Sequence, residues 1–227
     1  MRLPFTVEQF FQVFGEYNTS LGLAYPVLLV AAATASVLAL RGTLLPSCVV
    51  SAVLAAFWIW MGTVYHWIFF SRINHPAWLF GALFIVEGVA LLWLGVVKQR
   101  LLFRLSSSLN GALGTLLVLS SLLGYPALGY VFGHRYPATP TFGLPCPTVI
   151  FTLGLMLWLV QPFPRAILVI PVVWAVIGTF AAFQLAVPQD FGLLVAALFT
   201  VRVASKPVPP LRRWIGRQSA NAQARSI

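Results

Sequence analysis

Long apolar runs with almost no charged residues decide which solvent this chain can fold in. The longest run, from Leu44 to Phe70, contains no Asp, Glu, Lys or Arg. An α-helix of about 20 apolar residues spans the ~30 Å hydrocarbon layer of a bilayer. Hydrophobic residues make up 60% of the 227 residues, which is more apolar surface than a soluble domain of this size can bury. The sequence therefore predicts an all-α, polytopic membrane helical bundle.

Seven runs are long and apolar enough to be interpreted as transmembrane helices. They are Leu21–Leu40, Leu44–Phe70, Ala77–Val97, Leu105–Leu123, Phe142–Val160, Ala166–Val187 and Phe191–Ala204. We therefore divide the chain into an outer interfacial segment (1–20), a seven-helix transmembrane domain (21–204) and a basic cytoplasmic tail (205–227).

The distribution of Lys and Arg predicts how the bundle is oriented. A net charge of +10 is compatible with a nucleic-acid partner, but the basic residues lie between apolar runs and in the tail, as the positive-inside rule requires. Eleven fall on one side: Arg41, Lys98, Arg100, Arg104, Arg165, Arg202, Lys206, Arg212, Arg213, Arg217 and Arg225. Three fall on the other side: Arg2, Arg72 and Arg135. We expect no nucleic-acid partner.

This asymmetry predicts a bacterial inner-membrane protein with its N-terminus outside and its C-terminus in the cytoplasm. The basic tail is expected to lie on anionic lipid headgroups, anchored by Trp214. The sequence leaves open whether the protein forms a homo-oligomer.

The first twenty residues have the pattern of a short amphipathic helix. Val7, Phe10 and Phe14 recur at helical spacing on one face, and polar residues such as Glu8 and Glu16 occupy the other. Thr6 and Gln9 have the spacing of a capping box. Such a helix is expected to lie in the plane of the outer interface.

A weak internal repeat relates spans one to three to spans five to seven. Trp58-x-x-x-Gly62-Thr63 in span two recurs as Trp174-x-x-x-Gly178-Thr179 in span six. With span four as the linker, this gives a parallel 3+1+3 arrangement, which small sugar transporters of the SWEET type also use. The likeness to those transporters is architectural and includes none of their sequence motifs.

Several polar residues are expected near the outer ends of the spans, where they would line a vestibule. They are Tyr65, His66, Arg72, Asn74, His134, Arg135 and Asp190. The alternative interpretation is an aromatic belt at the interface, a turn at Asn74 that starts span three, and a helix N-cap at Asp190. Asp190 could also pair with Arg72 or Arg135.

Glu87 is the most informative single residue. It lies about eleven residues into span three, or roughly 16 Å along a helix, near the middle of the bilayer. A carboxylate at that depth is costly unless it is protonated, paired or hydrated, so it indicates an ion-coupling or substrate-binding role. The alternative is a protonated side chain that bonds to a neighbouring helix.

Span five begins with an unusual Pro145-Cys146-Pro147-Thr148 sequence. Proline is tolerated in the first turn of a helix because the N–H groups there lack partners, so this stretch predicts a rigid helix start with Cys146 as a packing residue. Pro26 has the corresponding place in span one, so we expect both repeats to begin with a proline-containing, gate-like segment. Soft-metal binding at Cys146 is the minority alternative, because no second cysteine is near in sequence.

These observations favour a small-molecule or ion transporter, or a channel-like carrier, with an outward-facing polar site. A membrane-embedded metal-dependent enzyme that uses His66, His134 and Asp190 is the second hypothesis, although three isolated histidines without helical spacing are a weak metal signal. An accessory or structural subunit is the third. A retinal photoreceptor is excluded because no lysine lies at mid-depth in span seven. No cofactor is indicated.

Three motifs resemble those of the DUF6064 family of bacterial membrane proteins. They are Phe5-Thr6-x-x-Gln9-Phe10-Phe11-x-Val13-Phe14-x-x-Tyr17-Asn18, Phe70-x-x-Ile73-Asn74-x-Pro76-Ala77, and TFGLPCPTVIFTLG at residues 141–154. The family pattern has an Asn-Pro-Ala turn, whereas His75 separates Asn74 from Pro76 here, so His75 is a poor candidate for a shared catalytic residue. The resemblance implies a membrane protein and no particular reaction.

Overall fold

The computed structural model describes residues 4–205, and these residues form an all-α structure. The α-helices are α1 (Val7–Leu21), α2 (Ala24–Ala39), α3 (Leu44–Trp60), α4 (Ala77–Leu91), α5 (Leu109–Leu119), α6 (Tyr125–Val131), α7 (Pro145–Met156), α8 (Val169–Leu185) and α9 (Gly192–Ala204). A π-helical turn joins α5 to α6, so the described residues contain eight continuous helical units. The predicted tail from Lys206 onward lies outside the described residues.

Wider π-helical turns and short 3₁₀ turns extend several helices. π-Helical turns follow α3 (Met61–Phe69) and α4 (Leu92–Val97), and the turn at Ser120–Gly124 carries the chain into α6 past Pro126. Short 3₁₀ turns follow at Phe70–Arg72 and precede α8 (Arg165–Leu168) and α9 (Pro188–Phe191). π-Helical turns are frequent at functional sites, and the turn from Met61 to Phe69 contains two predicted site residues, Tyr65 and His66.

Four helical units are long and apolar enough to cross a membrane: Leu44–Arg72, Ala77–Val97, Leu109–Val131 and Arg165–Leu185. The pair α1 and α2, which is bent by 86°, makes a fifth if it counts as one span. The seven-span prediction is therefore not confirmed. Helices α2, α7 and α9 have 16, 12 and 13 residues, and each is shorter than a bilayer-spanning helix.

Helix α7 is the centre of the bundle rather than a lipid-facing span. Every residue of α7 except Cys146 is buried, and the helix packs against α5, α8 and α9. The chain after α7 leaves the helical conformation, and the Val160 N–H donates to the Leu102 carbonyl at 2.8 Å. This bond pairs backbone groups that no helix satisfies.

Helix α1 forms as its sequence predicts. Thr6 and Gln9 make both hydrogen bonds of the capping box, and the residues buried on one face include Phe10 and Phe14. The chain then turns at Gly22, whose φ of 49° is in the left-handed region that glycine adopts without strain. This turn separates the direction of α1 from that of α2. The predicted interfacial location of α1 stays a prediction, as does the 3+1+3 repeat.

Candidate functional site

A cavity of about 410 Å³ lies where one end of the bundle meets α1. Its wall is formed by the first residues of the described chain, α1, the C-terminal end of the α3 unit, the start of α4, the start of α7, α8 and the turn before α9. Six helical segments thus converge on one volume that is partly open to the outside. This convergence makes the cavity the principal candidate for a binding site.

Eight aromatic residues line the cavity. They are Phe5, Phe10, Phe14, Tyr65, Phe70, Phe80, Trp174 and Phe180. The rings hold one another in place: Tyr65 stacks on Phe70 with centroids 5.5 Å apart, and Phe80 meets Trp174 edge-on at 5.4 Å. Phe180 is 66% exposed, so the wall continues onto the outer surface of α8.

Few polar side chains reach this cavity. They are Tyr65, Asn74, Cys146, Gln184 and Asp190. Asp190 is 4% exposed, and its Oδ1 atom has no hydrogen-bond partner within the described part of the chain. Burial raises the pKa of Asp190 well above its ordinary value, because desolvation disfavours the charged form. An unpaired buried carboxyl group is costly to the fold, so its retention points to a ligand.

The predicted N-cap role of Asp190 is wrong. The N-cap of α9 is Phe191, which has no side-chain cap, and Asp190 lies one residue earlier in the 3₁₀ turn. The predicted ion pairs of Asp190 do not form either, since Arg72 pairs with Glu16 at 3.2 Å and the Arg135 guanidinium lies 4.9 Å over the Tyr130 ring.

A network of hydrogen bonds fixes the start of α7 against α1. The Tyr17 hydroxyl donates to the Gly143 carbonyl at 2.9 Å and accepts from Trp60 Nε1 at 2.9 Å. The Gly143 N–H donates to Thr148 Oγ1 at 3.0 Å, inside the first turns of α7. Pro145 and Cys146 line the cavity, whereas Pro147 and Thr148 point into protein. The prolines therefore give a rigid helix start at the cavity wall.

The loop before α7 is held by a second set of contacts from α1. The Asn18 amide nitrogen donates to the carbonyls of Pro137 and Thr139, at 2.6 and 2.7 Å. Thr141 donates to Asn18 Oδ1 at 2.6 Å. Because Asn18 is 3% exposed and uses both ends of its amide, it fixes how the loop crosses α1.

His66 lies behind the cavity wall rather than in it. It is fully buried, and neither ring nitrogen has a hydrogen-bond partner in the described chain. Its ring contacts Phe84 at 4.7 Å and Trp174 at 5.1 Å between centroids. Trp174 Nε1 is likewise buried without a partner. Two unpaired polar groups thus lie within one aromatic cluster beneath the cavity floor.

A second, smaller cavity of about 150 Å³ follows the groove between α4 and α8. Trp174, Phe80 and Ile177 line both cavities and therefore separate them. Phe84 lines only the smaller one, and Glu87 follows it one helical turn further along α4. Glu87 is 1% exposed, lines neither cavity, and its Oε1 atom has no hydrogen-bond partner in residues 4–205.

The remaining predicted site residues lie at the periphery. Arg72 is exposed, and Pro26 is an exposed residue in the first turn of α2, away from the cavity. His134 lies over the Phe11 ring with centroids 4.7 Å apart, and its Nδ1 is 3.2 Å from Gln189 Nε2. Burial lowers the pKa of His134, and the bond to Gln189 partly opposes this. Arg135 is exposed beside it.

The three residues proposed for a metal site are not brought together. Among residues 4–205, no group of three His, Cys, Asp or Glu side chains lies close enough to hold a metal ion. Asp190 lines the cavity, His66 lies behind its floor, and His134 packs on α1. The second cysteine, Cys48, is also far along the chain from Cys146, and both are free thiols.

Comparison with known proteins identifies the family of this chain. A family model described as a family of unknown function, DUF6064, matches residues 7–208 of the 227. The chain belongs to the DUF6064 family. The match includes α1 and the start of α7, so every helix that forms the cavity lies inside the DUF6064 region. No curated protein and no solved structure matches the chain.

The sequence did not indicate the aromatic wall of the cavity. Phe80 and Trp174 lie in segments that are apolar almost throughout, so no pattern separates a ring that faces a cavity from one that faces lipid. Phe10 and Phe14 lie on the apolar face of an amphipathic helix, which the sequence predicts to face the membrane interface. Gln184, a polar residue of α8, also reaches the cavity. The high proportion of Phe at residues 5–14 was the one sequence feature that indicated an aromatic surface, because a lipid-facing helix does not require so many aromatic rings.

Proposed function

We propose that this DUF6064 protein is a membrane carrier that binds a small, mainly apolar molecule in the cavity beneath α1. The observation that carries the proposal is an open, aromatic cavity containing a buried carboxyl group without a partner, Asp190. Binding pockets of several hundred Å³ with apolar walls and a few polar groups are typical of small-molecule sites. We also propose seven helical segments across an inner membrane, with the cavity on the outer side.

The route through the bundle would follow the groove between α4 and α8. Two cavities lie along this groove, and the rings of Phe80 and Trp174 separate them. Beyond the smaller cavity is Glu87, about 15 Å along the helix from the start of α4. Buried ionisable residues at the middle of a membrane domain are functional by default, because their burial is expensive.

In this mechanism the present structure is the outward-open state, and Asp190 and Glu87 act at different stages. Asp190 binds the ligand in the outer cavity. Displacement of the aromatic plug formed by Phe80 and Trp174 opens the smaller cavity, and Glu87 couples that step to ion or proton movement. The two unpaired nitrogens of His66 and the indole N–H of Trp174 would gain partners when the plug moves.

Uptake into proteoliposomes tests this function. Three labelled benzyl compounds of different charge serve as probes: benzyltrimethylammonium, benzylurea and phenylmethanesulfonate. We expect the protein to take up at least one of them faster than protein-free liposomes, and Glu87→Gln to reduce that uptake by at least about tenfold. Glu8→Gln is the matched control, because Glu8 is an exposed acid on α1. Uptake of none of the three above the protein-free rate would refute the carrier function.

A further inference from the structure

The structure assigns a ligand class to the outer cavity: an organic ammonium ion with an apolar body, whose positive charge is held between Asp190 and the aromatic rings. This inference rests on the proposed carrier function and names its substrate class. Three independent features of the cavity lead to it, namely the charge of its wall, the composition of its wall and the state of its only carboxyl group.

The first feature is the sign of the wall. Among residues 4–205, those that line the cavity include one acid, Asp190, and no Lys, Arg or His. Three described basic residues have other contacts: Arg72 pairs with Glu16, Arg135 lies over Tyr130, and His134 contacts Gln189. An anionic ligand would meet a carboxyl group with no counter-charge in the wall, so the wall disfavours anions.

The second feature is the number of rings. Eight of the described lining residues are aromatic, and they include Tyr65, Phe70 and Trp174; Tyr65 stacks on Phe70 with centroids 5.5 Å apart. Aromatic rings attract cations through the negative charge density on their faces, and this is how proteins recognise quaternary ammonium groups. The same rings accommodate an apolar body, so a cage of this kind selects molecules that combine both properties.

The third feature is the unsatisfied carboxyl group itself. Oδ1 of Asp190 is buried and has no hydrogen-bond partner, while the adjacent backbone N–H of Asp190 is bonded to Val187. The titratable groups that face it across the cavity are the Tyr65 hydroxyl and the Cys146 thiol, both neutral near pH 7. No basic side chain in the described part of the chain pairs with this carboxyl group, so we expect its counter-charge to come from a ligand. Burial raises the pKa of Asp190, which favours the protonated form of the carboxyl group in the absence of a bound cation.

The shape of the opening agrees with this ligand class. The mouth is bordered by Phe180, Ala181 and Gln184 on α8, and Phe180 and Gln184 are exposed on the surface of the bundle. An amphiphilic cation would approach from the outer membrane interface with its apolar body along α8. Its charged group would then be the part that reaches the polar end of the cavity.

Binding of matched probes to the purified full-length protein in nanodiscs tests the inference. Benzyltrimethylammonium carries the charge, and neopentylbenzene is its neutral isostere. We expect the cation to bind at least about tenfold more tightly than the isostere, and Asp190→Asn to remove that preference. Asp190→Glu should retain it, and Glu8→Gln is the control for an acid outside the cavity. Phe80→Leu should weaken cation binding, whereas Phe132→Leu, at an exposed ring away from the cavity, should not.

The outcomes separate this inference from the function on which it rests. Equal binding of both probes, unchanged in Asp190→Asn, would overturn the ammonium assignment while leaving a carrier of neutral apolar molecules. Preferential binding of the anion phenylmethanesulfonate would also overturn the ammonium assignment. Failure of every probe to bind, together with no uptake, would overturn both. The ammonium assignment is also overturned if a lipid acyl chain is the only occupant of the cavity and competes with the probes equally in wild type and in Asp190→Asn.

Discussion

The contact between α5 and α7 depends on a pair of glycines, and one added methyl group should measure how tightly that contact is packed. A Cβ atom on Gly114 would lie 2.7 Å from the Gly154 carbonyl oxygen and 2.5 Å from Trp158 Nε1. The carbonyl is backbone and cannot rotate away, so Gly114→Ala requires the two helices to separate by several tenths of an ångström. The indole N–H of Trp158, which donates to the Gly111 carbonyl at 3.1 Å, would also be displaced.

The expected magnitude follows from a comparison within the same helical unit. Over-packing of a closely packed site costs about 1–3 kcal/mol. Replacing Gly by Ala in a helix also stabilises by up to about 1 kcal/mol, through reduced backbone entropy in the unfolded chain. Gly124→Ala serves as the control, since its added Cβ would meet only Ser120 Cβ, at 3.6 Å. The entropy gain is common to both variants, so their free energies of unfolding should differ by about 1–3 kcal/mol.

Steric trapping in bicelles would measure this difference as a reversible free energy of unfolding. Gly114→Ala should be the less stable variant, with Gly124→Ala equal to wild type or slightly more stable. Gly154→Ala, whose Cβ would meet the Gly114 carbonyl at 3.0 Å, should also be less stable than Gly124→Ala. A difference between Gly114→Ala and Gly124→Ala below about 0.5 kcal/mol would show that α5 and α7 are not in close contact.

Four further predictions concern the cavity and the residues that support it. Benzyltrimethylammonium should bind more tightly as the pH rises, because burial raises the pKa of Asp190 and protons compete with the cation; titration at several pH values checks this, and affinity that falls with rising pH contradicts it. Unliganded Asp190→Asn should be as stable as wild type, or more stable, in thermal unfolding near neutral pH. The pKa of Asp190 is raised in the folded protein, so ionisation of this buried acid lowers the free energy of unfolding of the wild type as the pH rises. A clear loss of stability in Asp190→Asn would indicate a structural role for the carboxyl group. Cys146→Ser should leave uptake largely intact, and abolished uptake in this variant would contradict that expectation. Asn18→Ala should destabilise the fold by about 1–3 kcal/mol, because three hydrogen-bond partners of the Asn18 side chain lose their contacts. Unchanged stability of Asn18→Ala in unfolding measurements would contradict this.

Local patterns predicted the parts of the fold that depend on local chemistry. The capping box and the apolar face of α1 are encoded within about ten residues, and the structure contains both. The all-α class follows from the apolar runs, because a lipid solvent leaves the backbone few alternatives. The number of membrane spans could not be predicted from the apolar runs in the same way. A run such as Phe142–Val160 is equally apolar whether lipid or protein surrounds it, and here protein encloses α7.

Part of the candidate site could be predicted from the positions of polar residues along the sequence. Tyr65, Asn74, Pro145, Cys146 and Asp190 were expected near one end of the bundle, and all five line the cavity. Which polar residues turn inward depends on helix rotation and on wider turns, such as the π-helical turn after α3. Sequence spacing does not specify these, so Arg72 and Arg135 could not be separated from the residues that line the cavity.

The enclosed position of α7 has a consequence for biosynthesis. Twelve residues make a helix about 18 Å long, too short to rest stably across the hydrocarbon layer on its own. Its packing partners α8 and α9 follow it in the chain, so the ribosome has not yet made them when α7 reaches the insertion machinery. For a chain inserted into a membrane during synthesis, we therefore expect α7 to remain against α5 or inside the translocon until the last two helices are made. A chain truncated after α7 should consequently be a substrate for membrane quality-control proteases.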